Sequence, residues 1–271
     1  MAARYLESGA EVRRRADDVF FTASTLKVPL LVDLYRQVDE GELDLGRSLV
    51  LTDSHRAPGS GVLKEMASGL KPTVHDLALL MIIISDNTAT DMLYDLVGRD
   101  ALNETMRRLG LATTRIPMSC RELLWSIYAV DTDDIPEGNT LADARRARGE
   151  AREGADAFSE ARSDVSSPVD MVRLLELVHR GEVLSETSRG AVLDILGRQQ
   201  LHTIIPHDLP LGTRTAHKTG GVPGVRCDVG IVYAPSGAYA VALMAKRVTD
   251  MKAVDRALAR VSRAVYDRFE G

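Results

Sequence analysis

From Thr22 to Asp39 the side chains Leu26, Val28, Leu30, Leu31, Val32, Leu34, Tyr35 and Val38 are apolar nearly all round a helical wheel. A helix without a polar face belongs in the middle of a fold, so this one is expected at the centre of the molecule. Pro29 falls in its early part, where a missing N–H is tolerated. Residues 41–72 are rich in glycine and proline and read as loops with one short element. Thr73 with Asp76 then forms a capping pair ahead of a second apolar run, Leu77 to Ile84. That run stops at Ser85-Asp86-Asn87, three residues that favour turns and caps. Helices are expected at about 88–97 and 100–109, ended by Gly98 and Gly110, at Ser167-Pro168 to Gly181, at about 185–197 and, amphipathic, at about 250–269.

The ends of the chain carry a different pattern. Residues 3–14, with a Glu7-Ser8-Gly9 turn, read as a hairpin, and 213–218, 226–233 and 239–246 read as three strands with Pro235-Ser236-Gly237 as the second turn. Strands at both termini with helices between them predict an α+β fold: one antiparallel sheet built from N- and C-terminal segments, flanked by helices in three α/β/α layers, with an all-α region inserted. The whole of 1–271 is expected to be one domain, with its α/β part at about 1–25 and 200–271 and its all-α part at about 26–199. The stretch 119–165 fits least: its second half is charged and alanine-rich, either a solvated helix or a mobile loop.

Composition narrows the partners. With 45% hydrophobic and 27% charged residues and a net charge of -5, the chain is globular and has no basic stripe, which argues for small molecules over nucleic acid. No apolar run reaches the eighteen or so residues of a membrane span. The first residues lack the layout of a signal peptide, so the sequence as written reads as cytoplasmic; a start set further upstream would make it periplasmic or secreted. The two cysteines, Cys120 and Cys227, are expected to be unpaired, and no Cys or His spacing suits a metal, so no cofactor is expected.

Three short motifs carry chemistry. Ser24 and Lys27 sit three apart at the mouth of the buried helix and so share a face, as a nucleophile and its base would. Ser68 and Lys71 repeat the spacing, but Gly69 and Pro72 make that segment a loop. Ser85-Asp86-Asn87 follows a buried helix, and Lys218-Thr219-Gly220 ends an expected strand. Each alone has an ordinary reading as a lysine reaching solvent, a helix terminator or a strand running into a turn. In this order, on these elements, they form one signal. Histidine-based schemes, a Gly-x-Ser-x-Gly elbow and a phosphate loop at Gly59-Ser60-Gly61 find no match.

The set resembles the penicillin-recognising serine enzymes, most closely the class A β-lactamases, over nearly the whole chain. The resemblance implies that Ser24 is acylated, that Lys27 accepts its proton, that Ser85 relays a proton to the leaving nitrogen, that Asn87 holds Lys27 or the substrate amide, and that Lys218 and Thr219 grip a substrate carboxylate. The backbone N–H groups of Ser24 and Gly221 would form the oxyanion hole, and Arg226 on the next strand would add a second cation or stay solvated. The family's deacylating glutamate best matches Glu150, then Glu153, but the asparagine that follows it is missing and both also read as surface charges. The resemblance also implies a helix and a full strand before the hairpin, which this sequence lacks. Three readings result: a β-lactam hydrolase; an esterase or D,D-peptidase with slow deacylation and a pocket widened by the 119–165 stretch; or, disfavoured by the intact motifs, a binding protein without turnover.

Overall fold

Alternation along the last strand divides the molecule into two cores. Ala238, Ala240, Ala242 and Met244 face one core, and Tyr239, Val241 and Leu243 face the other. The computed structural model describes Met1–Gly271. Its strands are β1 (Ala2–Tyr5), β2 (Glu11–Arg13), β3 (Phe20–Phe21), β4 (Val165–Ser166), β5 (Arg214–Val222), β6 (Val225–Ala234) and β7 (Gly237–Lys246). Five of them form an antiparallel sheet in the order β2-β1-β7-β6-β5, so the N-terminal hairpin joins a C-terminal meander through pairs such as Ala3 opposite Val241. β5 is an edge strand. The Lys218-Thr219-Gly220 motif lies inside it, because β5 runs on to Val222 before a two-residue turn in which Gly224 takes a φ of 76°.

The helices are α1 (Lys27–Asp39), α2 (Val74–Ile83), α3 (Asn87–Val97), α4 (Arg99–Arg108), α5 (Cys120–Ile127), α6 (Ile135–Ala147), α7 (Pro168–Arg180), α8 (Glu186–Gly197) and α9 (Met251–Glu270). α1 is central as its all-round apolarity requires: Val28, Leu30, Leu31, Val32, Leu34 and Tyr35 are buried in the larger core with α2, α3, α7, α8 and the inner face of the sheet. Each such leucine contributes about 1.5–3 kcal/mol by leaving water. α9 covers the outer face with Val265 and Tyr266, opposite Tyr239 and Val241. No helix is long and apolar enough to cross a membrane.

Three local expectations change. The first turn of the central helix, Ala23–Leu26, is a tighter 3-10 turn, with the α-helix beginning at Lys27. The 41–72 loops hold two short 3-10 turns, Asp53–His55 and Leu63–Glu65, where one element was expected. The 119–165 stretch contains two capped helices: Ser119 and Glu122 form a capping box for α5, and Asp134 caps α6 with Pro136 in its first turn. α6 is held from three sides. Asn139 accepts from Trp125 Nε1 (3.0 Å) and donates to the Arg56 carbonyl (2.8 Å). Asp143 accepts from Gly59 N (2.8 Å) and from Lys64 Nζ (2.5 Å). Gly138 lies flat on the Trp125 ring, where a Cβ would come within 2.3 Å. A charged helix thus stays in place through polar ties at its inner edge.

Candidate active site

Ser24 stands where the 3-10 turn, β5 and the α2–α3 junction meet. The turn is built by Thr25, whose hydroxyl donates to the Thr22 carbonyl (2.7 Å), and by Ala23 at a φ of 44°, left-handed for an alanine. Gly220 lets β5 lie against it. A Cβ there would be 2.8 Å from Thr22 O, 3.0 Å from Thr25 N and 3.1 Å from Ser24 N. Only a residue without a side chain permits that approach.

Lys27, one helical turn further on, is fully buried, as is Lys218. Lys27 Nζ donates to Ser85 O (2.8 Å), Ser85 Oγ (3.0 Å) and Asn87 Oδ1 (2.8 Å). Lys218 Nζ reaches the same Ser85 Oγ at 3.0 Å and Thr219 O at 2.8 Å. One hydroxyl therefore bridges two amines. Burial lowers the pKa of Lys27, and burial together with the charge of Lys27 lowers that of Lys218 further. Two ammonium groups sharing one oxygen disfavour each other, which favours the neutral form of one of them.

The Ser85-Asp86-Asn87 junction presents this hydroxyl at the expense of backbone comfort. Ser85 adopts a φ of 59°, a conformation that costs about 1–3 kcal/mol and persists only where neighbours hold it. Here Lys27 and Ser60 both donate to its carbonyl, the latter at 2.7 Å. Asp86 caps α3 through Ala89 N (2.9 Å) and accepts from Val62 N and Leu63 N, while Asn87 donates to Pro58 O (2.8 Å). The motif is both a helix start and part of the site. Ser68, the alternative serine, lies in an exposed turn bonded to Asp53 and Arg56.

Above Ser24 runs a cleft with two halves that share Ser24, Ser60, Arg146 and Gly221. The polar half, about 280 Å³, is lined by Ser85, Thr219, Arg226 and Asp255. The apolar half is narrow, about 50 Å³, and is walled by Leu26, Cys120, Leu123, Leu124 and Val222. Arg226 of β6 lies over Gly221, its pairing partner on β5, and is tied to Asp255 at 3.0 Å. Of the nine residues singled out from the sequence, Ser24, Lys27, Ser85, Asn87, Lys218, Thr219, Gly221 and Arg226 come together here. Glu150 does not: its carboxylate is exposed and held low by the Arg148 guanidinium 2.6 Å away, outside both halves of the cleft. Glu153 lines a separate cavity with Phe21, Arg152 and Phe158. No group of three His, Cys, Asp or Glu side chains is disposed to hold a metal ion.

Comparison with known proteins fits this arrangement. The family model described as the β-lactamase enzyme family matches residues 1–269. The chain belongs to that family. It is 31% identical to a β-lactamase of Sphaerobacter thermophilus, with a TM-score of 0.81 over 99% of this chain and 90% of the other. It is equally similar, 31% identical with a TM-score of 0.82, to PBP-A, over 99% of this chain and 88% of that one; a mutant of PBP-A has been solved as an acyl-enzyme complex with penicillin G. The β-lactamase AER-1 of Aeromonas hydrophila is 25% identical over 96% of this chain and 77% of its own length.

The apolar half presents Leu123 and Leu124 from α5 beside Ser24, and no carboxylate is among its lining side chains. Ser60 and Arg146 are cleft residues that motif reading passes over. Ser60 had a signal, since Gly59 at a φ of 89° and Gly61 at 108° mark a backbone that must approach something closely: a Cβ on Gly59 would meet Asn87, one on Gly61 Asp86. Arg146 had none, because only the docking of α6 brings it to the cleft. The 119–165 stretch accordingly closes over the cleft where a widened pocket was expected.

Proposed function

We propose that this member of the β-lactamase family is a serine hydrolase whose Ser24 is acylated by β-lactams and which releases the acyl group slowly. The observation that carries the reading is the single Ser85 hydroxyl held at 3.0 Å by both Lys27 and Lys218 next to Ser24. Once a substrate carboxylate holds Lys218 charged and donating to Ser85 Oγ, the Ser85 hydroxyl donates to a neutral Lys27. Ser24 then attacks the carbonyl carbon and its proton passes to Lys27. Lys27 gives a proton to Ser85 as Ser85 protonates the departing nitrogen, so charges and protons balance at the end of acylation. A carboxylate on the leaving side, bound near Lys218 and Thr219, favours the charge on Lys218 and keeps Lys27 in its basic form. The backbone N–H groups of Ser24 and Gly221 supply the oxyanion site.

Hydrolysis of the ester needs a second activated nucleophile, and the apolar wall of Leu123 and Leu124 offers water no base. That observation favours the second reading kept from the sequence, a D,D-peptidase or esterase on this scaffold that β-lactams trap, over fast antibiotic turnover. The test is incubation with a fluorescent penicillin, nitrocefin and p-nitrophenyl acetate, with Ser24→Ala as control. Stable labelling of the wild type, lost in the mutant, is expected. Rapid nitrocefin turnover without accumulated acyl-enzyme refutes slow release, and labelling retained by Ser24→Ala refutes the nucleophile.

A further inference from the structure

The cations around Ser24 are not equivalent. Lys218 is buried and engaged with Ser85 and Thr219, and Arg226 is matched by Asp255. On α6, Arg145 donates to the carbonyls of Tyr128 and Ala129, and Arg148 pairs with Glu150. Arg146 between them takes part in none of the protein's ion pairs, and it lines both halves of the cleft together with Ser24. Gly221 lines both halves with it. The ties of Asn139 and Asp143 to the 56–64 segment fix the helix that carries it.

We infer that Arg146 is a specificity-determining residue that receives a second anionic group, on the acyl side of a substrate whose first carboxylate is held near Lys218 and Thr219; this rests on acylation at Ser24 as proposed above. The polar half of the cleft already has its cations for one carboxylate. An arginine fork on α6 that lines both halves of the cleft can meet a carboxylate carried by the acyl side chain and bind it through two parallel N–H bonds. The substrate class is therefore an acyl donor with two carboxylates, such as a peptide with an acidic residue before the scissile bond or its dianionic β-lactam counterpart.

The experiment compares second-order acylation rates of the full chain with carbenicillin, a dianion, and benzylpenicillin, a monoanion. The ratio favouring the dianion is expected to fall about three- to tenfold in Arg146→Ala, the range of a partly exposed charge-assisted contact, and to invert in Arg146→Glu. Arg148→Ala, which changes charge equally but lies outside the cleft, is expected to keep the wild-type ratio. A ratio unmoved by Arg146→Ala, or moved as much by Arg148→Ala, overturns the assignment. Calorimetric binding of phenylboronate and 3-carboxyphenylboronate separates the two claims, since a boronate needs only a reactive serine. Arg146-dependent preference for the carboxylated boronate without penicillin acylation upholds Arg146 and refutes the β-lactam reading. Penicillin acylation without charge preference in either pair does the reverse.

Discussion

Replacing Gly220 by alanine places a methyl group against backbone that cannot rotate away. The new carbon would lie 2.8 Å from Thr22 O, 3.0 Å from Thr25 N and 3.1 Å from Ser24 N, all inside ordinary contact distance. β5 must therefore retreat from the Ser24 turn by some tenths of an ångström, loosening the positions of Thr219 and Gly221 with it. Overpacking of this kind costs about 1–3 kcal/mol. In a protein of this size each kcal/mol lowers Tm by about 2–4 °C, so a fall of about 2–12 °C is expected. The acylation rate should suffer as well, by about tenfold, because misplacement of about 1 Å costs about 100-fold and a shift of tenths of an ångström less. The measurements are a calorimetric Tm and the rate of fluorescent penicillin labelling. Gly190→Ala, on an open face of α8, serves as control and should keep the rate while raising Tm slightly. If Gly220→Ala keeps both Tm and rate, the close approach of β5 to Ser24 is not what assembles the site.

Two further outcomes follow from the environment of the cleft. Leu124→Glu puts a carboxylate on the wall beside Ser24 and should shorten the acyl-enzyme lifetime by about 100-fold or more, read by the loss of fluorescent label over time; an unchanged lifetime would show that a base at this place cannot reach the ester. Asp164 is buried, with Oδ1 accepting from Met118 N (2.9 Å) and Oδ2 unpartnered, and burial raises its pKa well above the usual carboxylate range; Asp91 nearby is pushed up to about 6. A carboxyl that binds its proton more tightly folded than unfolded stabilises below the unfolded pKa, near 4, and loses that contribution as pH rises toward the folded value. Asp164→Asn should therefore gain stability over wild type in urea unfolding at pH 7 and much less at pH 4; an equal difference at both pH values would refute the protonated carboxyl.

Legibility in the sequence followed the range of the interactions involved. The hairpin, α1 and the helices from α2 to α4 rest on local periodicity and caps such as Thr73 and Asp86, and they stand close to where the pattern puts them. The motif residues were readable because each serves its local element as well as the site: Ser85-Asp86-Asn87 ends one helix and starts another. The two-residue pairing of Phe20–Phe21 with Val165–Ser166 joins segments far apart in the chain and has no local signal. Arg146 belongs to the same class, since its place depends on Asp143 finding Gly59 and on Asn139 finding Arg56. Glu150 shows the converse. Its spacing to Asp164 suited a base, yet two residues away Arg148 offers an exposed partner, and nothing at that turn carries the side chain inward.

The packing of Gly138 on Trp125 makes the protein its own optical gauge. Trp125 is the sole tryptophan, its indole N–H is bonded to Asn139, and its ring forms the seat on which α6 rests. Tryptophan emission thus reports a single joint, the one that seats the helix carrying Arg146 at the cleft. A red shift on adding a ligand means that this seat has opened to water, and an unshifted spectrum during penicillin labelling means that α6 keeps its place on Trp125.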